Sequence, residues 1–153
     1  MNPITIEPID KSNWEEAIAI SVLETQVNLV PTVIESLAYA YVKPWDAAFD
    51  PYLLREGNKA FGFFYLSYTP ASTDNYWIGG FQIDKDYQGK GLGSQSLYTI
   101  LDCIQNKHPQ CQIISLTVEK NNALARILYE KIGFINQKMG NQDGEVIYKM
   151  KLK

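Results

Sequence analysis

A chain of 153 residues that is 46% hydrophobic and 20% charged has the make-up of one globular domain, residues 1–153, with enough apolar material for a real core. Its formal net charge of −3 leaves no excess of lysine and arginine to replace phosphate counterions, which argues against a nucleic-acid partner. No apolar run approaches the ~20 residues that span a bilayer, and MNPITIEPID lacks the basic and apolar segments of a secretion signal, so a cytoplasmic protein with no membrane partner is expected.

ITIEPI at 4–9 alternates and predicts a first strand. Ser12 is placed to cap a helix running to about Ser21, with Glu15 completing a capping box. Pro31 suits the first turn of a second helix that stops before Pro44. PYLLRE and AFGFFYLSY are strand-like runs joined by Gly-Asn-Lys, which predicts a hairpin, and the loop PASTDN leads on to another strand, YWIGGFQID. From Gly91 the period changes: Leu92, Leu97, Ile100, Leu101 and Ile104 fall at helical spacing. Pro109 disfavours helical geometry in the residue before it, so this helix ends by His108. QIISLTV at 112–118 is a continuous apolar run of the kind buried on both faces of a sheet. Asn121 or Asn122 caps a last helix, ALARILYEKI, with Leu124, Ile127 and Leu128 on one face and Gly133 as its stop. FINQKM and EVIYKMKL close the chain as a strand pair around Asn141-Gln142-Asp143-Gly144. Hairpins at both ends and a strand–helix–strand crossover between them predict an α/β (α+β) fold with a mixed sheet.

Cys103 and Cys111 are not spaced as zinc ligands, so reduced thiols in or near the core and no metal are expected. His108, the only histidine, is expected at the surface or as a helix C-cap.

The informative stretch is YQGKGLG at 87–93, three glycines and a lysine between a strand and a long helix. An isolated glycine trio is ordinarily only a turn feeding a helix. At a helix start, however, unpartnered backbone N–H groups and the positive end of the macrodipole meet. Glycines there let a phosphate approach those groups without side chains in the way. The spacing fits neither the G-x-x-x-x-G-K-[ST] phosphate loop nor a first-unit G-x-G-x-x-G, so a different pyrophosphate binder is indicated.

QGKGLG at 88–93 resembles the Q/R-x-x-G-x-G/A signature of the GNAT acetyltransferases, and LTVEKNNALARILYEKIGF at 116–134 resembles that family's second hallmark. The resemblance covers roughly residues 60 to 150 well. Within the family, DKDYQGKGLG, EKNNALARILYEKIGF and NQDGEVIYKMKL look like bacterial polyamine (spermine/spermidine) acetyltransferases. One departure is that Gly79-Gly80 stand where those relatives tend to carry an acidic residue.

The resemblance implies the acyl-CoA N-acyltransferase fold: a mostly antiparallel sheet of about seven strands flanked by four helices. It implies acetyl-coenzyme A as co-substrate, its pyrophosphate held by Gln88, Gly89, Lys90, Gly91, Leu92, Gly93 and Ser94. The strand Phe81-Gln82-Ile83 would pair with the pantetheine arm and offer an N–H to the thioester oxygen. Tyr129 stands at the family's general-acid position, since a phenol can return a proton to a departing thiolate. Asn122 is the candidate cofactor contact beside it, and Asn121 could exchange with it. Glu119 is the candidate base, with Glu24 and Glu35 on helices that cover the acceptor site in relatives. Trp77, with Trp45, Phe49, Tyr52 and Tyr76, is an aromatic candidate for the acceptor side, where ring faces suit a cation. The acceptor implied is a primary amine of a small molecule, a polyamine by the nearest resemblance. A protein N-terminus, a lysine, an aminoglycoside, or coenzyme A binding without turnover stay open. Many members pair as homodimers, and the closing hairpin is the place where that would occur.

Overall fold

The alternating and β-branched runs become seven strands: β1 (Ile4–Pro8), β2 (Ala48–Glu56), β3 (Lys59–Tyr68), β4 (Tyr76–Ile83), β5 (Ile113–Glu119), β6 (Ile135–Gly140) and β7 (Glu145–Lys151). In the computed structural model, which describes residues 3–141 and 144–152, they form one sheet in the order β1-β2-β3-β4-β5-β7-β6. Every neighbouring pair is antiparallel except β4 with β5. The mixed, mostly antiparallel sheet is therefore as expected, and α1 (Trp14–Ile18), α2 (Val33–Val42), α3 (Leu92–Lys107) and α4 (Ala123–Ile132) supply the four helices. Of the turn expected to join β6 and β7, Gln142 and Asp143 lie outside the described residues.

The pleat sends alternate side chains to opposite faces, and the core is built accordingly in two parts. On one face Leu54, Phe64, Leu66, Ile78, Ile114, Leu116 and Tyr148 pack against Leu97, Ile100, Leu101 and Ile104 of α3. On the other, Leu53 and Phe63 pack against Ala17 and Ile20 beside α1 and Val33 of α2. This second group reaches only as far as β3.

Three local expectations need correcting. Ser12 does not cap α1: its hydroxyl donates to Asp10 Oδ1 at 2.6 Å, and Asn13 is the N-cap. Asn13 Oδ1 accepts from the Asp10 N–H at 2.8 Å, so the side chain folds back on the preceding loop and α1 lasts only five residues. The cap of α2 is Thr32, not a turn begun at Pro31; Thr32 Oγ1 accepts from the Glu35 N–H at 3.0 Å in a reciprocal capping box. On α4, Leu124 and Ile127 are exposed, at 78% and 64%. The inward stripe is Ala125, Leu128, Tyr129 and Ile132, because α4 lies against β7 and α3 on that side. His108 is the C-cap of α3, as expected, but it is half-buried between the rings of Tyr68 and Tyr76 at 4.6 and 5.4 Å. That burial pulls its pKa down.

Cys103 is half-buried and Cys111 buried, both as free thiols. Burial pushes the Cys111 thiol up to about 11. Among the described residues no helix is long and apolar enough to cross a membrane.

Candidate active site

Strand β4 carries the irregularity around which the site is built. On β3, Phe63 faces Gln82 and Tyr65 faces Gly79, so Gly80 and Phe81 together oppose the single residue Phe64. This is a β-bulge, and Gly80 takes φ +61°, a conformation that L side chains rarely adopt. Tyr65 gives the glycine pair a second reason. Its ring lies across Gly79 and Gly80, and a Cβ at either would run into it. The Gly79-Gly80 departure thus makes room for a tyrosine from the neighbouring strand.

On its other side β4 pairs with β5 only at Trp77↔Ser115 and Ile78↔Leu116. Beyond those residues the two parallel strands separate and leave a cleft of about 630 Å³. One wall is the stretch from Gly79 to Ile83, whose edge toward β5 has no ladder partner. The other wall is Thr117, Val118 and the start of α4, and the glycine loop before α3 closes the end. An open strand edge of this kind can pair with an extended, amide-bearing chain.

The glycine loop meets the cleft at the N-terminus of the 16-residue α3. Gly91 is the N-cap, with φ +78°, and Gly89 has the same φ. Nothing lies within 4 Å of where a Cβ would sit on either, so both border open space. Bare N–H groups at the positive end of a long helix form a seat for an anion. Gly93 does something different: a Cβ there would come to 3.3 Å from Leu128 Cδ2, so it allows α3 and α4 to approach closely.

Most of the residues singled out in the sequence converge here. Phe81, Gln82, Ile83, Gln88, Gly89, Gly91, Leu92, Gly93, Asn122 and Tyr129 all line this cleft. Lys90 and Ser94 are not in the lining; Lys90 is exposed, with Nζ 5.4 Å over the Tyr87 ring. Two glutamines hold the frame. Gln82 Nε2 donates to the Pro31 and Gly80 carbonyls at 3.0 and 3.1 Å, tying the bulge to the segment before α2. Gln88 Nε2 donates to the Ile83 carbonyl at 2.9 Å and to Gln26 Oε1 at 2.9 Å, and Gln26 Nε2 returns a bond of 3.1 Å. The glycine loop is thereby pinned to the short 3₁₀ turn at Glu24–Gln26, an element without a signature in the sequence.

Asn122 is the cap of α4, its Oδ1 accepting from the Ala125 N–H at 3.3 Å. Asn121 also lines the cleft, and its side chain makes no hydrogen bond among the described residues. Tyr129 is 8% exposed, edge-on to Phe134 at 5.9 Å. Its hydroxyl has no hydrogen-bond partner among the described residues, and burial raises its pKa, so the phenol is held protonated. Arg126, Tyr148 and Glu130 fix the helix that carries it. Arg126 Nε donates to Tyr148 Oη at 3.1 Å, and Tyr148 Oη donates to Glu130 at 2.6 Å.

A second cleft, of about 560 Å³, adjoins the first and shares Tyr65, Gly79, Thr117 and Glu145 with it. Trp77 and Glu119 lie in its wall. Glu24 and Glu35 do not: both are exposed, and Glu35 is committed to the Thr32 cap. Trp45 also lines this cleft, whereas Phe49, Tyr52 and Tyr76 are core residues. Sequence reasoning missed Tyr65, Asp46 and Glu145, which line it from a middle strand, a loop and a strand start. Asp46 is held by Ser67 Oγ at 2.8 Å and Asn75 Nδ2 at 2.9 Å. Among the described residues, no group of three or more His, Cys, Asp or Glu side chains is placed to hold a metal ion.

A family model described as the acetyltransferase (GNAT) family matches residues 19–134. The spermine/spermidine N(1)-acetyltransferase of Bacillus subtilis (strain 168) is 27% identical over 135 residues, covering 86% of this chain and 87% of that protein. Two solved structures share the fold over nearly the whole chain. A spermidine N-acetyltransferase from Vibrio cholerae, in complex with CoA and spermine, gives a TM-score of 0.71 at 16% identity, covering 97% of this chain and 94% of that one. The aminoglycoside acetyltransferase AAC(6')-Ib, in complex with coenzyme A, gives 0.74 at 18% identity, with 97% and 94% covered. With the family match spanning both the glycine loop and the Tyr129 helix, the chain belongs to the GNAT acetyltransferases and is an N-acetyltransferase.

Proposed function

We propose that this enzyme transfers the acetyl group of acetyl-coenzyme A to a primary amine of a small cationic molecule of the polyamine class. The observation that carries the reading is the parting of β4 from β5 beyond Ile78 and Leu116, beside the bare N-terminus of α3. The pyrophosphate sits on the N–H groups at Gly89–Ser94. The pantetheine arm runs along Phe81-Gln82-Ile83 as an added strand, which brings the thioester to the junction of the two clefts. Asn121, its amide uncommitted, and Asn122 contact the cofactor from the other wall.

The amine enters from the second cleft. Its lone pair attacks the thioester carbon, the C–N bond forms and the C–S bond breaks. The proton lost by nitrogen passes to Glu119, directly or through water. A hydrogen bond from a β4 N–H carries the charge that develops on the carbonyl oxygen. Tyr129 gives its proton to the departing thiolate. Glu119 and Trp77 in the second cleft supply the carboxylate and ring face that suit a cation. The spermine/spermidine enzyme among the relatives supports the same acceptor class.

A homodimer through the closing hairpin goes with this reading, supported by Ile135 and Met139, which are 67% and 57% exposed on the edge strand β6. The two free thiols support a cytoplasmic setting.

Coenzyme A thiol release, measured with spermidine, an aminoglycoside and a peptide amine as acceptors, tests the assignment. Spermidine is expected to exceed the other two by at least about tenfold in kcat/KM, a difference of about 1.4 kcal/mol. Faster turnover of the aminoglycoside or the peptide would move the enzyme to that acceptor class.

A further inference from the structure

Glu119 on β5 and Glu145 on β7 stand directly opposite each other in the antiparallel ladder. Both line the second cleft, and Glu145 also lines the first, so Glu145 stands where the two clefts meet. Directly opposed side chains on one sheet face have Cβ atoms about 4.5–5.5 Å apart, and like charges at that spacing destabilise the pairing. Neither carboxylate is ion-paired among the described residues. Glu145 Oε1 accepts from Asn141 Nδ2 at 2.7 Å, and Asn141 Oδ1 accepts from the Glu145 N–H at 3.0 Å. These bonds orient Glu145 without cancelling its charge.

Aromatic rings also line this cleft. Tyr65 stacks on Phe49 at 4.3 Å and lies 6.3 Å from Trp45, which also lines this cleft. Lys149, which is not among the residues lining the cleft, has Nζ 5.4 Å over the Trp77 ring. Lys149 is four residues along β7 from Glu145, roughly 13 Å away in an extended strand, too far to neutralise the pair. Lys149 shows that the Trp77 ring takes a cation on a face. Of the opposed pair, Glu145 is left as the place for a charge brought by the substrate.

We propose that Glu145 binds a second ammonium group of the acceptor, with Glu119 left to take the proton of the reacting nitrogen, and so makes a di- or polyamine the preferred substrate over a monoamine of equal length. This rests on the reading of the second cleft as the acceptor side. An ammonium on Glu145 offsets its repulsion with Glu119 and forms charge-assisted hydrogen bonds, whereas a methyl end does neither. Glu145 is a specificity-determining residue in this account, and the reacting nitrogen is the other, uncharged one.

The test compares 1,4-diaminobutane with butylamine in the wild type and in Glu145→Gln. The ratio of kcat/KM for the diamine to that for the monoamine is expected to fall about tenfold or more in the variant, as loss of one charged hydrogen bond implies. A ratio within twofold of wild type overturns the proposal. Binding is read independently of turnover. With coenzyme A present, 1,4-diaminobutane is expected to raise the wild-type unfolding midpoint more than that of Glu145→Gln, while the free variant unfolds no lower than wild type because the repulsion is gone. Equal stabilisation of both proteins by the diamine also overturns it. If no amine turns over at all, the transferase assignment fails, and the difference in stabilisation still decides the role of Glu145.

Discussion

Gly91→Val is expected to lower the affinity for acetyl-coenzyme A by about 100-fold or more while the protein still folds. The two effects separate because of where Gly91 sits. Its φ of +78° belongs to the left-handed region, where an L residue costs about 1–2 kcal/mol. That strain lowers the unfolding midpoint by roughly 2–8 °C for a domain of this size. No heavy atom lies within 4 Å of the new Cβ, so no core packing is lost. The added isopropyl group projects instead into the open end of the cleft, over the N–H groups of the α3 N-terminus. Hydrogen bonds to a charged partner are worth about 1.5–3 kcal/mol each. Losing one or two of them gives the expected factor. Calorimetric titration beside thermal unfolding checks both halves. Unchanged affinity in a folded variant would remove the glycine loop from the cofactor site.

Tyr129→Phe is expected to lower kcat by about 10²- to 10⁴-fold, the usual contribution of a positioned proton donor. The dissociation constant for acetyl-coenzyme A is expected to stay within about threefold. The structure makes this a clean substitution. The Tyr129 hydroxyl has no partner among the described residues, so its removal orphans no buried group, and the ring keeps its contact with Phe134. Pre-steady-state turnover and equilibrium binding on the same preparation separate the two quantities. A variant that binds normally and turns over at the wild-type rate would mean that the thiolate takes its proton from another source.

Much of this fold was legible because its signals are local. The change of period at Gly91, the continuous apolar run 112–118 and the Asn122 cap each rest on residues within a few positions of one another. The same holds for the anion seat, since a helix start and its glycines are neighbours in sequence. What failed locally failed where two side chains competed for one role. Asp10 takes the Ser12 hydroxyl and Asn13 takes the Asp10 N–H, so α1 is shorter than its pattern. On α4 two stripes share Leu128, and only the position of β7 decides that Ala125 and Tyr129 face inward while Leu124 and Ile127 do not.

The second cleft was hidden for a different reason. Tyr65, Asp46 and Glu145 come together through the register of strands far apart in sequence. A one-residue slip would have turned each strand residue to the other face. The pairing of Tyr65 with Gly79-Gly80 is the plainest case: in sequence the glycines read as the loss of an acidic residue, and in space they read as the gain of a ring.

The central claim is that one diphosphate-bearing thioester lies in the wedge between β4 and β5, with its phosphates on α3. A backbone-amide NMR titration with acetyl-coenzyme A tests it most directly. The largest shifts are expected at Gly89, Gly91, Gly93 and Ser94 and along Phe81 to Ile83, with β1 and β2 unmoved. Saturable binding that leaves those amides in place and perturbs another face would contradict the account.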